Sequence, residues 1–180
     1  MTATLTTGVI GANVDRVTAG TTTDGANSEF KLGTRIVGAD GNIYLYVQAG
    51  EAISTATTEP YGLAISSVYQ AVKVTAATGL KGHTFGVAPR QIIADNAFFW
   101  AVVHGTCSMR VTASAAADAI LGIGGVGAAG RLASSVTASA GNMIVYGVKI
   151  TAAASASASA GNTIRTAILT HPIFRSAVAD

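Results

Sequence analysis

Hydrophobic and polar side chains alternate along residues 30–49, and this is the clearest pattern in the chain. The first run places three apolar side chains on one side of a period-two pattern: Phe30, Leu32 and Ile36. The second run does the same with Ile43, Leu45 and Val47. Between the runs stands Asp40-Gly41, a dipeptide that tolerates the positive backbone angles of a tight hairpin turn. The pattern therefore predicts two antiparallel strands joined at Asp40-Gly41.

Residues 91–109 form the most apolar region, with three aromatic residues in a row at Phe98, Phe99 and Trp100. In a strand, Phe98 and Trp100 face one way and Phe99 faces the other, so apolar side chains cover both faces. A strand of this kind lies either between two packed layers or in a subunit interface. Asp95-Asn96 predicts a turn that pairs residues 92–93 with residues 98–104.

Further apolar runs predict short strands over residues 62–74, 85–87, 144–150 and 164–169. The last two follow a short repeat, in which Ser139–Ile144 recurs as Ser159–Ile164 and places Gly-Asn turn chemistry before each run. Glycines and β-branched residues favour strand and loop over a short helix in residues 110–126. Together these patterns predict an all-β fold: an antiparallel β-barrel or β-sandwich of about eight to ten short strands.

The N-terminal residues 1–28 are rich in Thr, Gly, Ala and Asn and contain few apolar positions. They form either a flexible tail or an extended arm that pairs with the edge strand of a neighbouring subunit. We divide the chain into this arm and a single domain over residues 29–180. The Ala/Ser stretch from Ala152 to Ala160 is either a surface loop or a closely packed strand. The candidate assembly contacts are Val9, Ile10, Val14, Phe98, Phe99 and Trp100.

Composition favours assembly. Only 11% of the 180 residues are charged, compared with roughly 25% in an ordinary soluble domain. A monomer with so few charges would be poorly soluble, so we expect self-association or docking on a larger particle. The net charge of +2 comes from scattered residues and does not favour nucleic acid. Between Asp118 and Asp180 all charged residues are basic, which indicates either a mildly basic face or a few solvated charges.

The chemistry-bearing residues do not form a catalytic or metal-binding constellation. Cys107 is the only cysteine, so no intramolecular disulfide can form. Gly122–Gly127 matches G-x-G-x-x-G, but no acidic residue follows at the spacing that a dinucleotide site needs. The three histidines do not combine with a nucleophile and an acid in a triad pattern, and no acidic pair has metal-ligand spacing. We expect no enzyme activity, no cofactor, no signal peptide and no membrane span.

The segment over residues 32–50 reads LGTRIVGADGNIYLYVQAG and resembles the head decoration (cement) proteins of tailed bacteriophages. The likeness extends over roughly Leu32 to Phe174. It implies a structural virion protein that is made in the host cytoplasm and binds the outer surface of the phage head. Its partners would be the major capsid protein, whose capsomers it would bridge, and itself, with a trimer favoured over a dimer. The alternative from another class is a virion-displayed host- or glycan-binding β-module.

Overall fold

The structure, a computed structural model, describes residues 12–20, 28–53, 60–75, 82–89, 91–112, 115–119, 121–123, 129–133, 143–152 and 163–176. Every regular element in these ranges is a β-strand. There are nine: β1 (Arg35–Val37), β2 (Ile43–Ala49), β3 (Gly62–Ile65), β4 (Gln70–Lys73), β5 (Thr84–Val87), β6 (Phe98–Val111), β7 (Leu121–Ile123), β8 (Met143–Ile150) and β9 (Thr163–Ser176). The all-β fold predicted from the sequence is confirmed.

The nine strands form one sheet in the order β1-β2-β4-β3-β5-β6-β9-β8-β7. Among the described strands only β2 and β4 pair in parallel, and the other pairs are antiparallel. Strand β2 also pairs with β6, through residues that include Tyr46 and Trp100. This extra pairing closes β2, β4, β3, β5 and the first half of β6 into a ring, which we call the first barrel.

The second half of β6 takes part in another closed ring. It pairs with β9, which pairs in turn with β8 and then β7. Two bridges return to β6, because Ala133 pairs with Gly122 of β7 and Leu132 pairs with Val111 of β6. We call this ring the second barrel. Strand β6 is thus shared by the two barrels, and Gly105, with a φ of 102°, lies between its two halves.

Each barrel encloses its own apolar cluster, and a third cluster lies outside the first barrel. Buried side chains inside the first barrel include Leu45, Val47, Leu63, Ile65 and Phe99. Those of the second barrel include Met109, Leu121, Val145, Leu169 and Phe174. The third cluster, here called the outer aromatic cluster, consists of Ala12, Val14, Ile36, Tyr44, Tyr46, Phe98 and Trp100, with Phe30 and Leu32 packed against it.

The predicted hairpin at Asp40-Gly41 is confirmed, since β1 and β2 pair antiparallel and Gly41 has a φ of 78°. Its first strand is shorter than the pattern indicates and begins only at Arg35. Gly33, with a φ of 84°, turns the chain just before that residue. The register opposes Ile36 to Tyr44 and Arg35 to Leu45. Leu45 and Val47 lie inside the first barrel, whereas Tyr44 and Tyr46 belong to the outer aromatic cluster, so both faces of β2 are buried.

The prediction of one strand over residues 62–74 is wrong, because the chain reverses within it. Strands β3 and β4 form a hairpin in which Ala64 opposes Val72. The Tyr69 N–H donates to the carbonyl of Ser66 at 3.0 Å, and Tyr69 has a φ of 63°. A tyrosine in this left-handed region carries no sequence signal of the kind that Gly or Asn would give.

The Asp95-Asn96 turn is present, with a φ of 61° at Asn96, but its predicted pairing is wrong. Ile93 accepts a hydrogen bond at 3.0 Å from the Ile53 N–H instead of pairing with residues 98–104. Those residues pair with β2, whose seven residues offer a longer hydrogen-bonded edge than residues 92–93. The predicted strand at residues 85–87 and the two strands after the repeat are confirmed as β5, β8 and β9.

Candidate assembly surface

The three consecutive aromatic residues of β6 lie inside the fold. Phe98 and Phe99 have no exposed surface and Trp100 is 2% exposed. Phe99 points into the first barrel, whereas Phe98 and Trp100 pack with Tyr46 in the outer aromatic cluster. Of the two alternatives that the sequence leaves open, the structure supports a strand between two packed layers. In the folded chain these side chains present almost no surface to a partner.

Val14, the third candidate contact from the N-terminal segment, is also buried, at 3% exposure. It belongs to the outer aromatic cluster, and nearby Thr18 pairs with Phe98 through two backbone hydrogen bonds of 2.8 and 2.9 Å. Residues 12–20 therefore cover the aromatic face of their own chain. The other two candidates, Val9 and Ile10, lie outside the described residues, as does most of the Ala152–Ala160 stretch.

Several exposed apolar side chains lie on a different surface, formed by β8 and β9. The large exposed hydrophobic residues of the described chain are Val37, Val68, Tyr69, Ile92, Tyr146, Ile168 and Ile173. Three of them lie on β8 and β9, and Tyr146 is paired directly with Ile173 across these strands. Cross-strand neighbours share a face, so the two side chains form one exposed apolar pair. Tyr146 is 46% exposed and Ile173 is 37% exposed.

A β-bulge in the β8–β9 pair determines which side chains of these strands face outward. The register of β8 and β9 shifts between Tyr146 and Val148, where Gly147 has a φ of 80° and His171 a φ of 52°. An added side chain at Gly147 would lie 2.5 Å from the carbonyl oxygen of Thr170, so the close approach requires glycine. Because a bulge reverses the alternation of inward and outward side chains, buried positions on each side of it are an odd number of residues apart.

One cation contacts the exposed pair, and a second lies beyond the bulge on the same two strands. The guanidinium of Arg175 lies 5.5 Å from the centre of the Tyr146 ring, which is a cation–π distance. Lys149 is paired across the strands with Ile168, and its ammonium lies 2.9 Å from a carboxylate oxygen of Asp118. We define the β8–β9 face as Tyr146, Lys149, Ile168, Ile173 and Arg175.

The sequence reasoning identified the basic character of this region but missed its apolar residues. Lys149 and Arg175 belong to the basic residues noted after Asp118, and both lie on the face. Tyr146 and Ile173 stand singly among other strand residues, and no local pattern separates them from core positions. Only the register of β8 with β9 brings them together.

The only cysteine of the chain lies in an environment that disfavours a reactive thiolate. Cys107 packs against the core of the second barrel, and burial raises the pKa of its thiol to about 12. His104, three residues earlier, instead contacts His171, with their ring centres 4.6 Å apart. A nucleophilic cysteine needs a thiolate near neutral pH, which this burial disfavours. Cys107 therefore acts as a small core residue.

The glycine-rich motif also lacks the geometry of a dinucleotide site. Gly122 lies within β7, paired with Ile144, whereas the fingerprint begins after its strand. Residues 124–127 of the motif lie outside the described residues. Across the described ranges, His, Cys, Asp and Glu form no group of three or more that could hold a metal ion. The described residues also contain no helix that is long and apolar enough to cross a membrane.

Comparisons with known proteins do not assign the chain to a family. No protein-family model, curated protein or solved structure matches it. The function is therefore inferred from the residues and their arrangement.

Proposed function

We propose that this chain is a structural virion protein, a decoration (cement) protein that binds the outer surface of a phage head and stabilises contacts between capsomers of the major capsid protein. The observation that carries the proposal is the exposed Tyr146–Ile173 pair, bordered by Arg175, on a chain with so few charges. The resemblance of residues 32–50 to decoration proteins supplies the kind of particle.

The β8–β9 face has the composition that protein interfaces favour. Tyrosine and arginine are enriched at interfaces, where they dominate the binding energy when a partner excludes water from them. Both residues sit on paired strands of a closed barrel, so little backbone freedom is lost when their side chains become buried. A rigid strand face of this kind suits a protein that stiffens a shell by contact alone and catalyses no reaction.

The charges of the face favour an acidic partner. Arg175 carries no carboxylate partner among the described residues, and Lys149 shares its charge with Asp118 in an exposed pair whose side chains are 59% and 65% exposed. Exposed pairs of this kind contribute at most about 1 kcal/mol, so Lys149 can exchange Asp118 for a partner carboxylate at little cost. We therefore place an acidic patch of the major capsid protein opposite this face.

Self-association completes the proposal. A single face of this size gives modest affinity, but several copies joined in one oligomer bind together with much greater avidity. A homotrimer, favoured over a dimer, would present three β8–β9 faces to neighbouring capsomers. Its function would need neither a cofactor nor nucleic acid.

Cosedimentation of the purified chain with undecorated heads tests the proposal. Tyr146→Ala with Ile173→Ala should weaken binding by about tenfold or more, the loss expected for a central aromatic contact. The matched control is Val68→Ala with Ile92→Ala, which removes side chains that are 69% and 55% exposed elsewhere on the surface. Equal binding by both double variants would contradict the assignment of the face, and no binding by the unmodified chain would contradict the decoration function.

A further inference from the structure

The open end of the first barrel contains a cavity of about 300 Å³ that differs in character from the β8–β9 face. Its polar lining includes Arg35, Ser66, Ser67 and Thr84, and its apolar lining includes Leu45 and Ile65. We call this cavity the mouth pocket. Its volume is at the lower end of the range for small-molecule sites, and such sites commonly lie in the mouths of β-barrels.

Strand register directs two of the polar side chains toward the barrel interior. Arg35 is paired with Leu45, and Thr84 is paired with Ile65. Paired residues of antiparallel strands project from the same face of the sheet. Leu45 and Ile65 are buried inside the first barrel at 1% and 2% exposure, so Arg35 and Thr84 lie on the inward face above them.

The β3–β4 turn supplies the remaining polar groups of the rim. The Ser66 backbone is held by hydrogen bonds with Gln70 at 2.9 Å and with Tyr69 at 3.0 Å. Its side-chain oxygen accepts a hydrogen bond from the Gln70 N–H at 3.2 Å. That bond leaves the Ser66 hydroxyl proton available for a ligand, because the oxygen acts there only as an acceptor.

Arg35 is the charged group of the pocket, and it is exposed. The ion pairs within the described residues join Arg16 to Glu29 and Lys149 to Asp118, and neither involves Arg35. A guanidinium offers two parallel N–H donors that match a carboxylate or a phosphate, and charge-assisted bonds of this kind are about twice as strong as neutral ones. The pocket thus combines an available anion-binding group, hydroxyls at its rim and an apolar floor.

We propose that the mouth pocket binds a small oxyanion-bearing molecule of about monosaccharide size. The carboxylate or phosphate of the ligand contacts the Arg35 guanidinium, and the hydroxyls of Ser66, Ser67 and Thr84 bond to its remaining polar groups. This goes beyond the decoration function, because it assigns a small-ligand site to residues outside the β8–β9 face, next to the point where Thr84 pairs with Ile173. It would also serve a virion-displayed glycan-binding module, the alternative function from the sequence.

Amide chemical-shift titrations of the full chain test the proposal, with glucuronate, glucose and inorganic phosphate as probes. Glucuronate or phosphate should shift the amides of Arg35, Ser66, Ser67 and Thr84 in a saturable manner, and glucose should not. Saturation by glucuronate alone identifies an acidic sugar, whereas equal saturation by phosphate identifies a general oxyanion site. Absence of localised, saturable shifts with both anions would overturn the proposal.

Variants of Arg35 distinguish a role in ligand binding from a purely structural role at the end of the barrel. Arg35→Gln should weaken anion binding by roughly tenfold or more, as expected for loss of a charged hydrogen-bonding group, and Arg35→Lys should retain part of the affinity. Arg175→Gln, which removes a cation from the β8–β9 face, is the matched control and should bind like the unmodified chain. Equal affinities for Arg35→Gln and the control would also overturn the proposal.

Cosedimentation of Arg35→Gln with heads should be the same as that of the unmodified chain. If the mouth pocket does not bind anions, the decoration function can therefore still be tested separately.

Discussion

Both barrels carry aromatic residues on an outer face. On the first barrel these residues are covered by another segment of the chain, and on the second barrel they are not. Outside the first barrel, residues 12–20 and the start of the β1–β2 hairpin pack over Tyr46, Phe98 and Trp100. Outside the second barrel, Tyr146 remains 46% exposed beside Ile173. The larger aromatic cluster is therefore part of the core, and the smaller apolar pair is the available surface. Aromatic content alone does not identify an interface, because the same chain can provide the cover.

The largest expected difference between the two faces is in stability. Trp100→Ala should lower the free energy of unfolding by about 3–5 kcal/mol, because it removes a buried aromatic side chain that packs against Tyr46 and Phe30. Denaturant titration measures this loss. A loss below about 1 kcal/mol, which is typical of surface substitutions, would mean that the outer aromatic cluster is not part of the core.

Residues 12–20, which cover the outer aromatic cluster, should contribute less to the free energy of unfolding. Val14→Ala removes two methyl groups from a side chain that is 3% exposed, so we expect a loss of about 2 kcal/mol. Val68→Ala, at a position that is 69% exposed, is the control and should stay within about 0.5 kcal/mol of the unmodified chain. If the two variants have the same stability, Val14 does not anchor residues 12–20 on the outer aromatic cluster.

The stability of the chain at alkaline pH should report whether the Cys107 thiol is excluded from solvent. The folded-state pKa of Cys107 is raised to about 12 by burial, so the native state keeps a proton that the unfolded chain loses from about pH 8.5 upward. Stability therefore falls as pH rises through this range, by about 1.4 kcal/mol at one pH unit above the unfolded pKa. Unfolding curves at pH 7.5 and 9.5 measure the change. Cys107→Ala should lose this part of the pH dependence, and an unchanged pH dependence would mean that the thiol is solvated.

The smallest effect on stability is expected from a substitution on the β8–β9 face. Tyr146→Ala should change the free energy of unfolding by no more than about 0.5–1 kcal/mol, because about half of the side chain is already in water and its contact with Arg175 is exposed. Thermal or denaturant unfolding of the variant checks this expectation. A loss as large as that of Trp100→Ala would show that Tyr146 acts in the core, and the two faces would then not differ as described.

The sequence predicted those parts of the fold that depend on local signals. Asp40-Gly41 encodes its own turn, and the two Gly-Asn repeats precede the strands β8 and β9. The closure of two barrels around β6 could not be predicted, since the parallel β2–β4 pair and the bridges of Leu132 and Ala133 are long-range. The reversal at Tyr69 was also hidden, because a bulky residue adopts the left-handed conformation there.

The candidate site depended still more on long-range register. Phe98 to Trp100 satisfied the requirements of a core strand and of an interface equally well, and nothing nearby indicated that residues 12–20 cover them. Tyr146 and Ile173 are 27 positions apart in sequence, counted from their residue numbers, and meet only through the β8–β9 register. Arg35 occupies a polar position in the alternating pattern of the first hairpin strand, yet its partner Leu45 lies on the inward face. A polar position in an alternating pattern does not by itself indicate which face of the sheet the side chain occupies.

The central claim is that the β8–β9 face, and not the outer aromatic cluster, contacts the capsid. An electron cryo-microscopy reconstruction of heads saturated with the chain tests it most directly. We predict that Tyr146, Ile173 and Arg175 lie against the major capsid protein, while residues 12–20 still cover Trp100. A reconstruction in which Tyr146 and Ile173 face solvent, with the capsid against another surface, would contradict the account.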